Sequence, residues 1–128
     1  MKANATLFHL NWDLPHTKSR MDAKFGFSEK FLMAVKDCFA AGDYIPVLGG
    51  EVEVERNRAS LREWAEKVWV ASNSYECNWF ETGKYPGAMK VLAPDRSTCV
   101  GDVLVFEAPE LGEPVRLACA SFGWEVME

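Results

Sequence analysis

Little in this sequence invites a membrane, a metal or a nucleic acid. No apolar run reaches the ~18 residues that a bilayer-spanning helix takes. Met1 to Thr6 carries one positive side chain, and the apolar stretch behind it, Leu7 to Leu10, gives way at once to Asn11 and Asp13. That is too short for the core of a secretory leader, so a cytoplasmic protein is expected. Basic residues are in the minority, with 14 Lys and Arg against 19 Asp and Glu and a net charge of −5. Even the most basic neighbourhood, Lys18, Arg20 and Lys24, is interrupted by Asp22. Direct binding of DNA or RNA is therefore not expected.

Cysteine and histidine are equally sparse. Cys38, Cys77, Cys99 and Cys119 show none of the close pairing that zinc sites use. Cys38 falls in an expected helix and Cys119 in an expected strand, where a free thiol packs as a small hydrophobe. Reduced, mostly buried cysteines are the expectation, with neither disulfide nor metal. His9 and His16 are the only histidines. With Asp13 nearby, one of them could act as a base held by a carboxylate. No Ser or Cys stands in a nucleophile elbow, however, and no catalytic motif is recognised. Neither an enzyme nor a cofactor is expected.

What is present is a core. Apolar residues make up 48% of 128, enough for one domain without covalent or metal support. Residues 5 to 13 alternate as a strand, with Leu7, His9 and Asn11 on one side and Phe8, Leu10 and Trp12 on the other. The second set is the better core face. The polar stretch from Leu14 to Phe25 reads as a long surface loop. Ser28 can cap a helix over 29–41, whose stripe is Phe31, Leu32, Val35, Cys38 and Phe39, and Gly42 stops it. A short extended run at 44–48 and a turn or bulge at Gly49-Gly50 lead to a strand at 52–55. Ser60 and Glu63 have capping-box spacing ahead of a second helix with Leu61, Trp64, Ala65, Val68 and Ala71 on one stripe.

Residues 73–88 are mostly loop but hold Tyr75, Trp79, Phe80 and Tyr85. A short strand is expected within 89–93. Strands at 103–106 and 115–120 then form a C-terminal hairpin, joined by a loop too short for a parallel crossover. Gly101-Asp102 reads as the turn that enters the first of them. The fold class expected is α+β: a single domain of residues 1–128, a mainly antiparallel sheet, two helices and the C-terminal β-hairpin.

Two surfaces stand out for contact. Glu51, Glu53 and Glu55 alternate with Val52 and Val54, which puts three carboxylates on one wet strand face at a spacing comparable with successive phosphates of a nucleic-acid strand. A solvated face that discourages edge-to-edge aggregation is the plainer explanation. Trp79 and Phe80 in the loop beside Asn78 are the second surface, because aromatics outside regular elements are enriched at interfaces. The plainer explanation there is a loop that folds back over the core.

The segment Arg96-Ser97-Thr98-Cys99-Val100-Gly101-Asp102-Val103, followed by Ser121-Phe122-Gly123-Trp124, resembles a pattern in small proteins of phages, plasmids and integrative elements, some of them labelled YodL-like. Those read Arg-Ser-x-Ser-Val-Gly-Asp-Val and end in an aromatic-Gly-aromatic segment; Cys99 here replaces the second Ser. Leu7-Phe8-His9-Leu10-Asn11-Trp12, the strand at 52–55 and the helix ending Ala71-Ser72-Asn73-Ser74 are also similar. The resemblance implies a non-enzymatic binding protein of a mobile element, acting in the bacterial cytoplasm. The role it implies first is inhibition of a host defence system in the manner of an anti-CRISPR, through contact with a protein partner such as a nucleic-acid-binding defence complex. An accessory module for element maintenance or transfer is the alternative, and a small hydrolase the third.

Overall fold

The computed structural model describes residues 1–14, 29–74 and 77–127. The expected cap at Ser28, most of the expected loop after Leu14, His16 and Tyr75 lie outside the described residues. The elements in chain order are β1 (Lys2–Leu10), α1 (Glu29–Ala40), β2 (Tyr44–Glu53), α2 (Arg58–Ala71), a 3-10 turn at Trp79–Glu81, β3 (Lys90–Val91), β4 (Val103–Glu107), a second 3-10 turn at Pro109–Leu111, β5 (Val115–Ala120) and β6 (Gly123–Met127). The six strands form one sheet in the order β3-β2-β1-β4-β5-β6, and each neighbouring pair is antiparallel. The α+β class with two helices and a hairpin at the C-terminal end is thus what the chain adopts.

Both faces of the sheet are covered, and strand alternation divides the core in two. Leu7, Leu48, Leu104 and Leu117 face one way and meet Leu61, Ala65 and Val68 of α2. Leu10, Val103, Val105 and Ala118 face the other way and meet Phe31, Ala34, Val35 and Cys38 of α1. Two covered faces correct the expected orientation of β1. Leu7 and His9 are fully buried, whereas Phe8 and Trp12 are only partly so.

Three other boundaries differ from the pattern reading. The extended run at 44–48 continues through Gly49-Gly50 as one strand that ends at Glu53, short of the expected 52–55. The irregularity falls instead between Leu7 and Phe8, whose partners are Leu48 and Pro46. α2 starts at Arg58, because Asn57 is the cap and its Oδ1 accepts the Ser60 N–H at 2.8 Å. Ser60 faces backwards and accepts the Glu55 N–H at 3.0 Å, so the Ser60–Glu63 capping box is not formed.

The last correction concerns the aromatic-glycine-aromatic corner. It is a hairpin turn between β5 and a further strand, with Ala120 opposite Gly123. Ser121 and Phe122 keep negative φ and Gly123 takes +92°, as in a tight turn closed by a glycine bulge. A side chain at Gly123 would disfavour that backbone.

Candidate functional site: a buried polar cluster at the end of β1

The sheet gathers its polar side chains at the C-terminal end of β1, where the loop 92–102 crosses from β3 to β4. Asp102 is fully buried there and accepts four donors. Its Oδ1 takes the Leu10 N–H at 2.8 Å and Arg96 Nη2 at 2.9 Å. Its Oδ2 takes the Cys99 N–H and Arg96 Nη1, both at 2.8 Å. Arg96 Nη2 also donates to the Leu10 carbonyl at 2.8 Å. A bidentate Arg–carboxylate pair with both remaining acceptor positions filled meets the condition under which a buried ion pair is tolerated. Here it clamps the loop to β1 and to the start of β4. The arginine is pushed above its usual range by its bonds to Asp102, in spite of desolvation. Gly101, at φ +99°, turns the chain so that its N–H reaches the Cys119 carbonyl at 2.9 Å and its own carbonyl meets the Tyr44 hydroxyl.

Beside this clamp runs a second set of bonds. His9 Nδ1 is 2.8 Å from Asp95 Oδ2, and His9 Nε2 is 2.8 Å from Thr98 Oγ1. Thr98 Oγ1 is 2.7 Å from Ser72 Oγ, which is 2.7 Å from the Val68 carbonyl oxygen of α2. The order carboxylate, imidazole, hydroxyl is that of a hydrolytic triad. The hydroxyl, however, sits in the interior: Thr98 is 3% exposed, Ser72 is buried, and Thr98 is bonded on both sides. Burial lowers the His9 pKa, although the nearby Asp102 and the bond to Asp95 pull it upward. A carboxylate oxygen is an acceptor, so the bond to Asp95 calls for a proton on Nδ1.

The pairing of a histidine with Asp13, weighed from the sequence and set aside, is not formed by His9, which meets a different carboxylate. Asp95 is the partner of His9, and Asp13 is exposed two residues past an Asn11 turn. Pattern reading could not find that pairing across 86 positions. The Arg-Ser-x-x-Val-Gly-Asp segment, singled out for its resemblance, is the clamp itself.

The expected contact residues are placed as follows. Trp79 is 2% exposed, and its indole N–H donates to the carbonyls of Asp95 and Arg96, each at 2.9 Å. Its ring stands against His9, Phe80 and Tyr85. Phe80 is half-buried against the same core. The aromatic loop therefore folds back over the core, and Trp79 is no contact anchor, because its N–H and its ring are both used inside. Glu51, Glu53 and Glu55 are all exposed. Cations meet two of them: Lys2 Nζ lies 3.8 Å from Glu51 and the N-terminal ammonium 3.0 Å from Glu53. The row is thus a less uniform negative surface than its sequence implies. Glu55 lies past the end of β2 and accepts from Asn57 Nδ2 at 3.3 Å.

The four thiols are free, with Cys38 and Cys119 buried, Cys99 half-buried and Cys77 exposed. Burial pushes the Cys99 and Cys119 thiols up to about 11 and about 12. Among the described residues no group of three or more His, Cys, Asp and Glu is placed to hold a metal ion. No described helix is long and apolar enough to cross a membrane. Among the described residues Phe122, at the β5–β6 turn, is the most exposed large hydrophobic at 84%. It borders an open depression lined by Arg58, Arg62 and Glu66 of α2 and by Trp124 and Val126 of β6. Pattern reading singled out the Phe-Gly pair but not its exposure.

No family model matches the chain, no curated protein matches it, and no solved structure matches it. The likeness to YodL-like proteins accordingly rests on the residues quoted for it.

Proposed function

We propose that this protein works by contact with another protein, as a product of a phage or mobile element that inhibits a bacterial defence system in the manner of an anti-CRISPR. The observation that carries the contact reading is Phe122. A large aromatic held in water at the tip of a tight hairpin, beside two arginines one helical turn apart, has the make-up of an interface anchor. The polar groups of the interior, by contrast, are used in holding the fold. The mobile-element context is supported by the resemblance of the Arg96–Val103 and Ser121–Trp124 segments, and on this reading the protein acts in the bacterial cytoplasm on a nucleic-acid-binding defence complex. The acidic row Glu51, Glu53 and Glu55 remains the second contact surface, and Phe80 falls behind Phe122.

The test is a phage-challenge assay in bacteria with active CRISPR interference, run in parallel with strains carrying other defences. Expression of the protein should restore plaques in one of them. Phe122→Ala should abolish the rescue while leaving the melting temperature unchanged, since an anchor of this kind is worth about 2 kcal/mol or more, roughly thirtyfold in affinity. A folded protein that rescues no phage in any strain would overturn the inhibitor reading. Rescue lost only on replacing Glu51, Glu53 and Glu55 by Gln would move the interface to the acidic row.

A further inference from the structure

We propose that Asp95, His9, Thr98 and Ser72 form a reversible hydrogen-bond relay, in which proton uptake at His9 turns both hydroxyls round and hands the Ser72 proton to the Val68 carbonyl. The argument is a count of donors and acceptors. With His9 neutral, Nδ1–H donates to Asp95, so Nε2 is an acceptor and must receive the Thr98 hydroxyl proton across 2.8 Å. The Ser72 hydroxyl, which in the structure accepts from Thr98 and donates to the Val68 carbonyl, then has to turn and donate to the Thr98 oxygen across 2.7 Å. The Val68 carbonyl loses nothing essential in this state, because it also accepts the Ser72 backbone N–H at 2.9 Å.

With His9 protonated, both ring nitrogens donate. Nε2–H now points at Thr98, whose proton turns to Ser72, whose proton turns to the Val68 carbonyl at 2.7 Å. The change is one proton gained at Nε2 and two hydroxyl rotations, with the Ser72–Val68 hydrogen bond gained and no covalent bond between heavy atoms made or broken. The groups around the ring allow this. Asp95 and Arg96 come from the loop, Asp102 from the start of β4 at 3.7 Å from Nε2, Ser72 from the end of α2, and the uncharged Trp79 ring from the 3-10 turn. Asp102 supplies field and no competing acceptor, since its oxygens already take two donors each. Asp95, whose side chain is 33% exposed, accepts from Nδ1–H in both states, so the charge gained on the ring is held beside a carboxylate.

Ser72 does not touch the imidazole, and this makes the relay testable. The protonated state needs Ser72 as the acceptor for the Thr98 proton; the neutral state does not. Ser72→Ala removes a bond from both states, but only the protonated form is left with a buried Thr98 proton lacking its acceptor, so the His9 pKa should fall by about one pH unit if that difference equals one buried hydrogen bond. The measurement is an NMR titration of the His9 ring in the full chain carrying His16→Gln, which leaves a single imidazole signal. Thr98→Ser keeps the hydroxyl and should leave the pKa in place. An unchanged His9 pKa in Ser72→Ala would overturn the relay, as would a rise. Should Ser72→Ala fail to fold, Ser72→Thr and the ring tautomer in the wild-type chain carry the test. A neutral His9 with its proton on Nε2 would overturn the proposal by itself.

Discussion

At the scale of single residues, the cluster is held by Asp102 more than by any other side chain. Four donors converge on its two oxygens: two main-chain N–H groups from distant parts of the chain and both ends of the Arg96 fork. Asp102→Asn keeps the shape but sets an amide donor against N–H groups and strips Arg96 of its counter-charge. A loss of about 3 to 5 kcal/mol is expected, the scale of breaking one side of a buried pair, to be read from urea denaturation. Arg96→Lys should lose part of the same stability, because an ammonium cannot span both oxygens. Cys99→Ser should change little, since a hydroxyl can take over the thiol's side-chain hydrogen bonds with Trp12 and Asp102 and its 3.6 Å contact with the Val100 carbonyl. Its main-chain N–H, which also donates to Asp102, is retained. Arg96 and Asp102 are six positions apart, and the sequence marks that spacing through a resemblance. The clamp's purpose stays hidden there, because its other jaw, the Leu10 amide, is 92 positions from Asp102.

At the scale of elements, α2 shows how much a hydrophobic stripe conveys. Leu61, Ala65 and Val68 are buried as their spacing predicts. Trp64, on the same stripe, is only partly buried and carries the Lys67 ammonium 4.5 Å from its ring centroid. Periodicity places a residue on a face but does not say how far that face extends under its neighbours. Leu61→Ala should therefore cost about 2 to 5 kcal/mol, and Trp64→Ala less than Leu61→Ala despite the larger side chain. Equal or reversed losses in thermal melts would show that the indole belongs to the core. β2 and β6 were harder to read for different reasons. Pro46 and Gly49-Gly50 break up a strand that is nevertheless continuous, because its partners β1 and β3 fix the register. β6 has no clean alternation: Trp124 and Met127 are buried on opposite faces, with Glu125 and Val126 half-buried between them. A strand under two helical layers lacks the wet face that makes strands legible.

At the scale of the whole molecule, the cluster joins β1, the loop 92–102, β4 and the end of α2, so its protonation bears on global stability. Burial holds the His9 pKa below its usual 6.5, while in the unfolded chain the ring returns to that value. Between the two, the unfolded state binds more protons than the folded one, and stability must rise with pH. The contribution is therefore complete above pH 6.5 and is lost as the pH falls through 6.5 toward the folded value. The slope can reach about 1.4 kcal/mol per pH unit for one proton. Urea denaturation between pH 7.5 and 5 should show that decline in a His16→Gln background, where His9 is the only imidazole left. Replacing His9 by Gln keeps a polar side chain near Asp95 and removes the titration. Its stability, lower throughout, should be flat over the same interval. Parallel slopes in the two proteins would place the acid sensitivity elsewhere, in the carboxylates, and would mean that the buried imidazole is protonated as readily in the fold as in water.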